Sequence, residues 1–296
     1  MSDPALALLV AEPSPDFGLI DSGHGRKLER CGPYRFIRPE PQAMWSPAGD
    51  DWRADGEYLA GPDEEGGGRW QLQPDLPAGW AIEQAGIRLM AQCTPFRHLG
   101  FFPDMAPHWA ALADAVRGGG EVLNLFGYTG AASLVAANAG ARVVHVDASK
   151  KAVEQARANA ALSGLTDRPI RWIVEDARKF VAREVRRGRR YDAILLDPPK
   201  YGRGTDGEVW DLTRDLPALL ADCARLLDNS SRLLILTTYA VRLSALALDP
   251  LLAQVTAALG GRRTIGEMTI REEARGLLLP TALFARWEGG NGQASY

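Results

Sequence analysis

Cysteine is scarce in this chain. Among 296 residues there are three: Cys31, Cys93 and Cys223, far apart and without a CxxC or Cys/His cluster. That spacing argues against both a disulfide framework and a zinc site. Histidine is nearly as rare, at four, and no pair stands at metal-ligand spacing, so no metal is expected. No stretch approaches the roughly 20 apolar residues of a membrane span. The opening "MSDPALALLVAEPSPDFG" has an apolar run but no basic start, and the run is short for a signal core. Charge of one sign is not in excess either. The formal net charge is −3, which does not indicate a globally basic nucleic-acid binder but leaves room for a local patch. These absences describe a reduced, cytoplasmic, soluble protein.

Apolar residues make up 46% and charged residues 24%, enough for a sizeable core. The rhythm of the chain changes once. Residues 1–92 carry short extended pieces punctuated by Gly and Pro, the pattern of a small β-rich domain. Trp45, Trp52, Trp70 and Trp80 all lie there; they could stack on bases, but filling the core of a small β domain is the simpler reading. In "HGRKLERCGPYRFIR", Arg26, Lys27, Arg30, Arg35 and Arg38 alternate with aromatics, a composition able to hold phosphates and bases for substrate recognition.

From residue 93 to 296 strands and helices alternate, which means βαβ units and an α/β, doubly wound, mostly parallel sheet. Strands are expected at 121–126, 142–147, 170–176, 191–197 and 232–239. Helices are expected at 129–140, 149–164, 177–188, 216–229 and about 244–259, with Pro217 in the first turn of the fourth. The end of the chain reads as two strands and a loop. In 216–229, Leu216, Leu219, Leu220, Cys223, Leu226 and Leu227 share one stripe, which makes Cys223 a core residue. His145 falls in a strand interior and reads as core. The basic run Arg178, Lys179, Arg183, Arg186, Arg187, Arg189 and Arg190 reads as a solvated face.

In open parallel sheets ligands sit beyond the carboxyl ends of the strands. The first strand is followed by Asn124-Leu-Phe126-Gly127-Tyr128-Thr129-Gly130, whose glycines allow a tight turn and close backbone approach. The second strand ends in Asp147, suited to a ribose diol. The third ends in Glu175-Asp176, able to accept from an adenine amino group. The fourth ends in Asp197-Pro198-Pro199-Lys200. One acid at a strand end is commonplace as a helix cap; acids at three successive ends beside a glycine loop point to a nucleoside. GxGxxG is missing, so a nicotinamide dehydrogenase fits poorly. S-adenosylmethionine, with a ribose, an adenine, a cationic sulfur and no phosphate, suits a carboxylate-rich pocket better.

"VLNLFGYTGAASLVAANAGARVVHVDASKKAVEQARANAALSGL", "VEDARKFV" and "YDAILLDPPKYGRG" resemble the cofactor motifs of class I S-adenosylmethionine-dependent methyltransferases. More narrowly they resemble the family holding the bacterial large-subunit ribosomal RNA cytosine-C5 and guanine-N7 enzymes. The resemblance covers about residues 95–296. It implies a Rossmann-like, seven-stranded sheet with an antiparallel last hairpin. It also implies cofactor contacts along 124–130, at Asp147, Ala148, Ser149, Asp176, Ala177 and Asp197, and at Phe102 in "TPFRHLGFFPDMAPHW", which resembles the segment that closes over the cofactor. His98, in the same segment, is a further candidate for contact with cofactor or substrate. The methyl group would then face Asp197, Pro198, Pro199, Lys200 and Tyr201.

Within that expectation Asp197 accepts from an amino group of the substrate base, the two proline carbonyls point into the site, and Tyr201 stacks on a planar substrate. The chain departs from the cytosine enzymes. Cytosine C5 needs a thiolate adding at C6, which in those relatives follows the fifth strand. Here that place reads Leu236-Thr237-Thr238-Tyr239-Ala240. The expected reaction is therefore direct methylation of a base nitrogen, most simply in ribosomal RNA. A small-molecule or protein methyltransferase and a non-catalytic cofactor-binding protein are the alternatives.

Overall fold

A computed structural model describes residues 5–61, 67–239 and 241–290, so Ala240 lies outside the described residues. Contacts divide the chain into two compact units. An α/β unit comprises residues 1–9, 108–267 and 282–296, and a β unit comprises 10–107 and 268–281. The change of sequence rhythm at residue 92 falls inside the β unit, because the segment up to Pro107 packs with the strands that precede it.

The chain opens with β1 (Ala5–Ala11). The β unit holds a five-stranded sheet in the order β2 (Phe17–Gly23), β3 (Arg26–Cys31), β4 (Tyr34–Pro39), β5 (Gly56–Leu59), β6 (Arg69–Leu72), and a hairpin of β7 (Trp80–Gln84) with β8 (Ile87–Ala91). Its tryptophans are structural. Phe36 stacks on Trp80 at 5.2 Å and meets Trp70 edge-on at 5.9 Å. Each indole N–H has a partner: Trp45 on the Ser22 carbonyl, Trp52 on Asp21, Trp70 on the Thr94 carbonyl, Trp80 on the Cys31 carbonyl. An aromatic ring can be buried in this way only when its polar end is satisfied.

The α/β unit follows with α1 (Ala106–Ala115), β9 (Glu121–Leu125), α2 (Ala131–Asn138), β10 (Arg142–Asp147), α3 (Lys150–Leu162), β11 (Ile170–Val174), α4 (Ala177–Arg186) and β12 (Ala193–Leu196). Then come β13 (Tyr201–Arg203), β14 (Val209–Asp211), α5 (Leu212–Ala224), β15 (Leu233–Tyr239), α6 (Leu248–Thr256), β16 (Arg262–Arg271) and β17 (Leu278–Glu288). The large sheet runs β1-β16-β17-β15-β12-β9-β10-β11. Five strands, β15 to β11 in that order, are parallel, and β17 runs antiparallel to β15. The seven expected strands are there, and β1 adds an eighth at the edge. Leucines of β9, β12 and β15 pack with Phe180 of α4, the Leu216–Leu227 stripe and Leu248 and Leu252 of α6 into one core. Cys223 lies in it, fully buried.

Two expectations about the segment after β12 change. α5 begins at Leu212, four residues earlier than the apolar stripe suggests, because Asp211 caps it by accepting the Arg214 N–H at 3.0 Å. Pro217 therefore sits inside the helix. Before it, β13 and β14 pair antiparallel around Asp206-Gly207, where Gly207 takes a φ of 86°. A DG pair is a hairpin signal, here hidden by the short strands on either side.

Candidate active site at the strand ends

The ladder registers decide what can meet. Leu125 of β9 lies beside Val146 of β10 and Leu196 of β12, and Asp147 lies beside Val174 of β11. Four parallel strands thus end level. The loop 126–130, Asp147, Glu175-Asp176 and Asp197 all leave the sheet at one rim.

The loop after β9 is wound tightly. Phe126 and Tyr128 have φ of 55° and 47°, and Gly130 has 89°. The left-handed region costs a side-chain-bearing residue of order 1–3 kcal/mol, and such residues gather at functional sites. The loop is held from two directions. Gly127 N–H donates to the Val146 carbonyl at 3.0 Å, and Tyr128 N–H donates to Asp147 Oδ2 at 2.9 Å. Gly127 has no alternative at its position: a Cβ there would fall 2.5 Å from the His145 ring.

Beneath the loop runs a short polar chain. Asn124 Nδ2 donates to Ser133 Oγ at 2.9 Å, and Ser133 Oγ lies 3.0 Å from His145 Nδ1. Since Ser133 accepts from the amide, its hydroxyl proton is available to His145 Nδ1. Burial lowers His145 to about 3, so the ring is neutral. Asn124 Oδ1 at one end of the chain and His145 Nε2 at the other are both buried without a hydrogen-bond partner. His145 is core, as expected, but it also supports this loop.

Asp147 is half-buried. Burial raises its carboxyl, opposed by the backbone N–H groups of Ser149 and Tyr128. Oδ1 accepts from Ser149 N–H at 2.8 Å, leaving each oxygen a further lone pair. Ser149 also caps α3, accepting the Ala152 N–H at 3.3 Å; Ala148 lies between the two.

Asp176 is more committed. It caps α4 ahead of Ala177, with Oδ1 accepting the N–H groups of Arg178 and Lys179 at 2.9 and 3.2 Å. Its Oδ2 takes Arg178 Nη2 at 3.2 Å. Glu175 is held by both terminal nitrogens of Arg183 at 2.5 and 2.6 Å. Most of the rest of the basic run is paired too, Lys179 with Asp206 and Glu208, Arg187 and Arg189 with Glu184, Arg190 with Asp228; Arg186 is exposed and makes no ion pair among the described residues.

Asp197 is half-buried and accepts the Thr237 hydroxyl on Oδ1. Pro198 is buried and Pro199 exposed. The Pro199 carbonyl does not point into an open site, contrary to expectation. It accepts the Trp210 indole N–H at 2.7 Å. Trp210 is 3% exposed, tilts against Phe126 at 5.1 Å, and has the Arg178 guanidinium over its ring at 5.8 Å. One side chain so ties together the segments that follow β9, β11 and β12. Sequence reasoning missed it; the signal was the hairpin that places it. Lys200 lies over the Tyr201 ring at 5.2 Å, and Tyr201 is 58% exposed. Phe102 belongs to the β unit, where its ring meets His98 at 5.3 Å. Among the described residues no group of three or more His, Cys, Asp or Glu could hold a metal ion, and no helix is long and apolar enough to cross a membrane.

A level rim carrying a strained glycine loop, with acids at the next strand ends, has the donors and acceptors that suit a nucleoside. The model of a family described as S-adenosylmethionine-dependent methyltransferase matches residues 65–252, more than half of the chain. The chain belongs to that family. It uses S-adenosylmethionine. A solved S-adenosylmethionine-dependent methyltransferase from Agrobacterium tumefaciens is 46% identical, over 96% of this chain and 95% of that one, with a TM-score of 0.91. The ribosomal RNA large subunit methyltransferase I of Shewanella denitrificans is 37% identical over 132 residues, 44% of this chain and 33% of that protein. Its namesake in Aeromonas salmonicida is 34% identical over 121 residues, 40% of this chain and 30% of that protein. This methyltransferase therefore matches about a third of the length of those curated relatives.

Proposed function

We propose that this methyltransferase acts in the cytoplasm on ribosomal RNA, at a base nitrogen, by direct displacement and without a covalent cysteine intermediate. The observation that carries the second half is the state of the thiols. Burial pushes Cys31 up to about 12 and Cys93 up to about 11, and raises Cys223 inside the α5 core. No thiol stands in the last part of β15, where Thr237 instead bonds Asp197. A nitrogen acceptor needs no such nucleophile. The names of the curated relatives support RNA as acceptor.

The rim fits the cofactor. The unpartnered Asn124 Oδ1 is an acceptor for an ammonium group, and the absent Cβ of Gly127 leaves backbone that a ligand can approach closely. Asp147, with a lone pair left on each oxygen, suits a ribose diol. Asp176 keeps one acceptor position on Oδ2 for an adenine amino group. Phe126, Tyr128, Thr129, Gly130, Ala148, Ser149 and Ala177 line these positions. When bound, S-adenosylmethionine supplies the electrophilic methyl on its sulfonium. The chain itself has to orient an acceptor, which can be worth about 7–11 kcal/mol of barrier. Asp197 Oδ2 and the Pro198 carbonyl hold the amino group of the base, with Asp197 fixed by Thr237 and the turn fixed by Trp210 on Pro199. Tyr201 offers an exposed ring to the base, and Lys200 lies over it.

The test is nucleoside mass spectrometry of RNA from a deletion strain, in which one methylated nucleoside should vanish. In purified protein Asp147→Ala should weaken cofactor binding, while Asp197→Ala should slow transfer with binding kept. A denaturation-resistant adduct with RNA carrying 5-fluorocytosine would overturn the direct mechanism.

A further inference from the structure

Four of the five cations in the basic stripe of the β unit are paired internally, whereas Arg35 is exposed and makes no ion pair among the described residues. Lys27 pairs with Glu29 and Glu40 at 3.4 and 3.3 Å, Arg30 with Glu273 at 3.1 Å, Arg38 with Glu29 at 2.6 Å, and Arg26 with Glu57 at 3.5 Å. Cations spent on internal carboxylates have little left for a polyanion. Another part of the unit is built to face outward. In the segment 94–98, Phe96 is 66% exposed, yet the backbone that carries it is heavily fastened. Trp70 Nε1 donates to the Thr94 carbonyl at 2.7 Å and the Phe96 carbonyl at 3.3 Å. The Thr94 hydroxyl lies 3.0 Å from the Phe96 carbonyl and 2.8 Å from that of His98. Arg38 donates to the Arg97 carbonyl at 2.9 Å.

The ring is also backed. Phe96 stacks on His98 at 5.8 Å and 23°, and His98 leans on Phe102 at 5.3 Å. Burial, then the charges of Arg38 and Arg97, lower His98 to about 4, so the imidazole is neutral at physiological pH. Arg97 is exposed, and its guanidinium makes no ion pair or hydrogen bond among the described residues. Singly exposed apolar residues need no explanation. A ring held out on a fastened loop, at the open end of a three-ring ladder and beside an unspent arginine, does.

We propose that Phe96 is a stacking platform for an unpaired base of the RNA acceptor, with Arg97 on the adjoining phosphate. This rests on the reading that the acceptor is RNA. A π face adds one more member to a stack and accepts any base, and the cation supplies the backbone contact. A protein partner would instead seek a pocket or a contiguous apolar patch, which a single ring does not offer.

The experiment is steady-state methylation of total RNA from the deletion strain, with labelled S-adenosylmethionine and the full chain. Phe96→Ala should raise KM for RNA by roughly tenfold or more, leaving KM for S-adenosylmethionine and the melting temperature as in the wild type. Phe96→Trp should restore RNA affinity; Phe96→Leu, apolar but without a π face, should not. Arg97→Gln should flatten the salt dependence of KM for RNA. An unchanged KM in Phe96→Ala, or rescue by Leu as good as by Trp, overturns the platform while RNA methylation stands. If the wild-type chain labels no RNA, the RNA reading itself falls and the platform with it.

Discussion

The two units treat their polar groups in opposite ways. In the β unit the buried carboxylates Asp21, Glu29 and Glu272 are closed into internal networks. Asp21 accepts from the backbone of Ser22, Ala48 and Gly49, from the Trp52 indole and from Arg275. Glu272 takes the Ser22 hydroxyl and two nitrogens of Arg275. At the strand ends of the α/β unit valence is left open. Asn124 Oδ1 has no partner, Asp147 accepts only backbone N–H groups, and two side-chain-bearing residues sit at positive φ. Closed networks specify a structure; open ones await a ligand. The difference teaches that a count of charged residues is a poor guide to binding, and that their unspent valence is a better one.

The largest test of that contrast is Glu29→Ala. Glu29 is fully buried and takes Arg38 Nε and Nη2 at 2.6 and 2.9 Å. Burial alone would raise its carboxyl, but the charges of Arg38 and Lys27 win and hold it below the ordinary range. Its contribution is thus present above about pH 4.5 and is lost as pH falls through the folded value. Removing it strands a buried guanidinium, which should cost about 3–5 kcal/mol in denaturant melts. Calorimetric affinity for S-adenosylmethionine should not move. A parallel loss of affinity would break the contrast between the units.

Next in size is Gly127→Ala, the mirror experiment. The added methyl would meet His145 at 2.5 Å, so the loop must lift or the ring must turn. Overpacking of this kind costs typically 1–3 kcal/mol, and here it falls on the loop proposed to bind the cofactor. Cofactor affinity should drop by roughly tenfold to a hundredfold, with a smaller change in melting temperature. Relief of the defect by His145→Ala in the double variant would place the strain at that contact.

How much of this was legible beforehand follows the same division. The parallel strands, the level acids and the glycine loop were visible because each rests on local pattern: β-branched runs, an acid at the last strand position, a glycine where backbone must approach closely. The cap by Ser149 was legible for the same reason. Partnership was not legible. Nothing in "HGRKLERCGPYRFIR" announces that Arg38 belongs to Glu29 or Arg30 to Glu273, the latter 243 residues away. Nor does the order of residues reveal that Trp210 would take the carbonyl of Pro199, or that α5 begins under Asp211 rather than at its first leucine stripe. Such facts depend on tertiary pairing, which overrides local propensity.

A third prediction concerns pH. The α/β unit buries two neutral histidines, His108 and His145, each lowered to about 3, chiefly by burial; the β unit has His98, lowered to about 4. A lowered histidine binds its proton more readily in the unfolded chain. Stability is therefore full above about pH 6.5 and declines as pH falls toward the folded values, by up to about 1.4 kcal/mol per pH unit for each group. Melting temperatures should fall from pH 7.5 to 5. His108→Phe, against Phe284 at 5.2 Å, should flatten that fall, and an unchanged slope would mean that His108 is charged in the fold.

The smallest effect should come from Lys179→Gln. Lys179 joins α4 to the β13–β14 hairpin through Asp206 and Glu208, in the same unit as the open rim. Its side chain is 49% exposed and that of Asp206 73%. Exposed pairs gain little because water and salt screen the attraction and two long side chains must be ordered. The hairpin has a better fastening in Trp210, which is buried and donates to Pro199. Lys179→Gln should therefore leave the melting temperature and cofactor affinity within error, at low salt and at high. Trp210→Phe, which keeps a ring against Phe126 but loses the N–H, should slow transfer although it removes no charge. If the lysine variant proves the more damaging of the two, the hairpin is held by its surface charges, and the rim depends on electrostatics rather than on the buried indole.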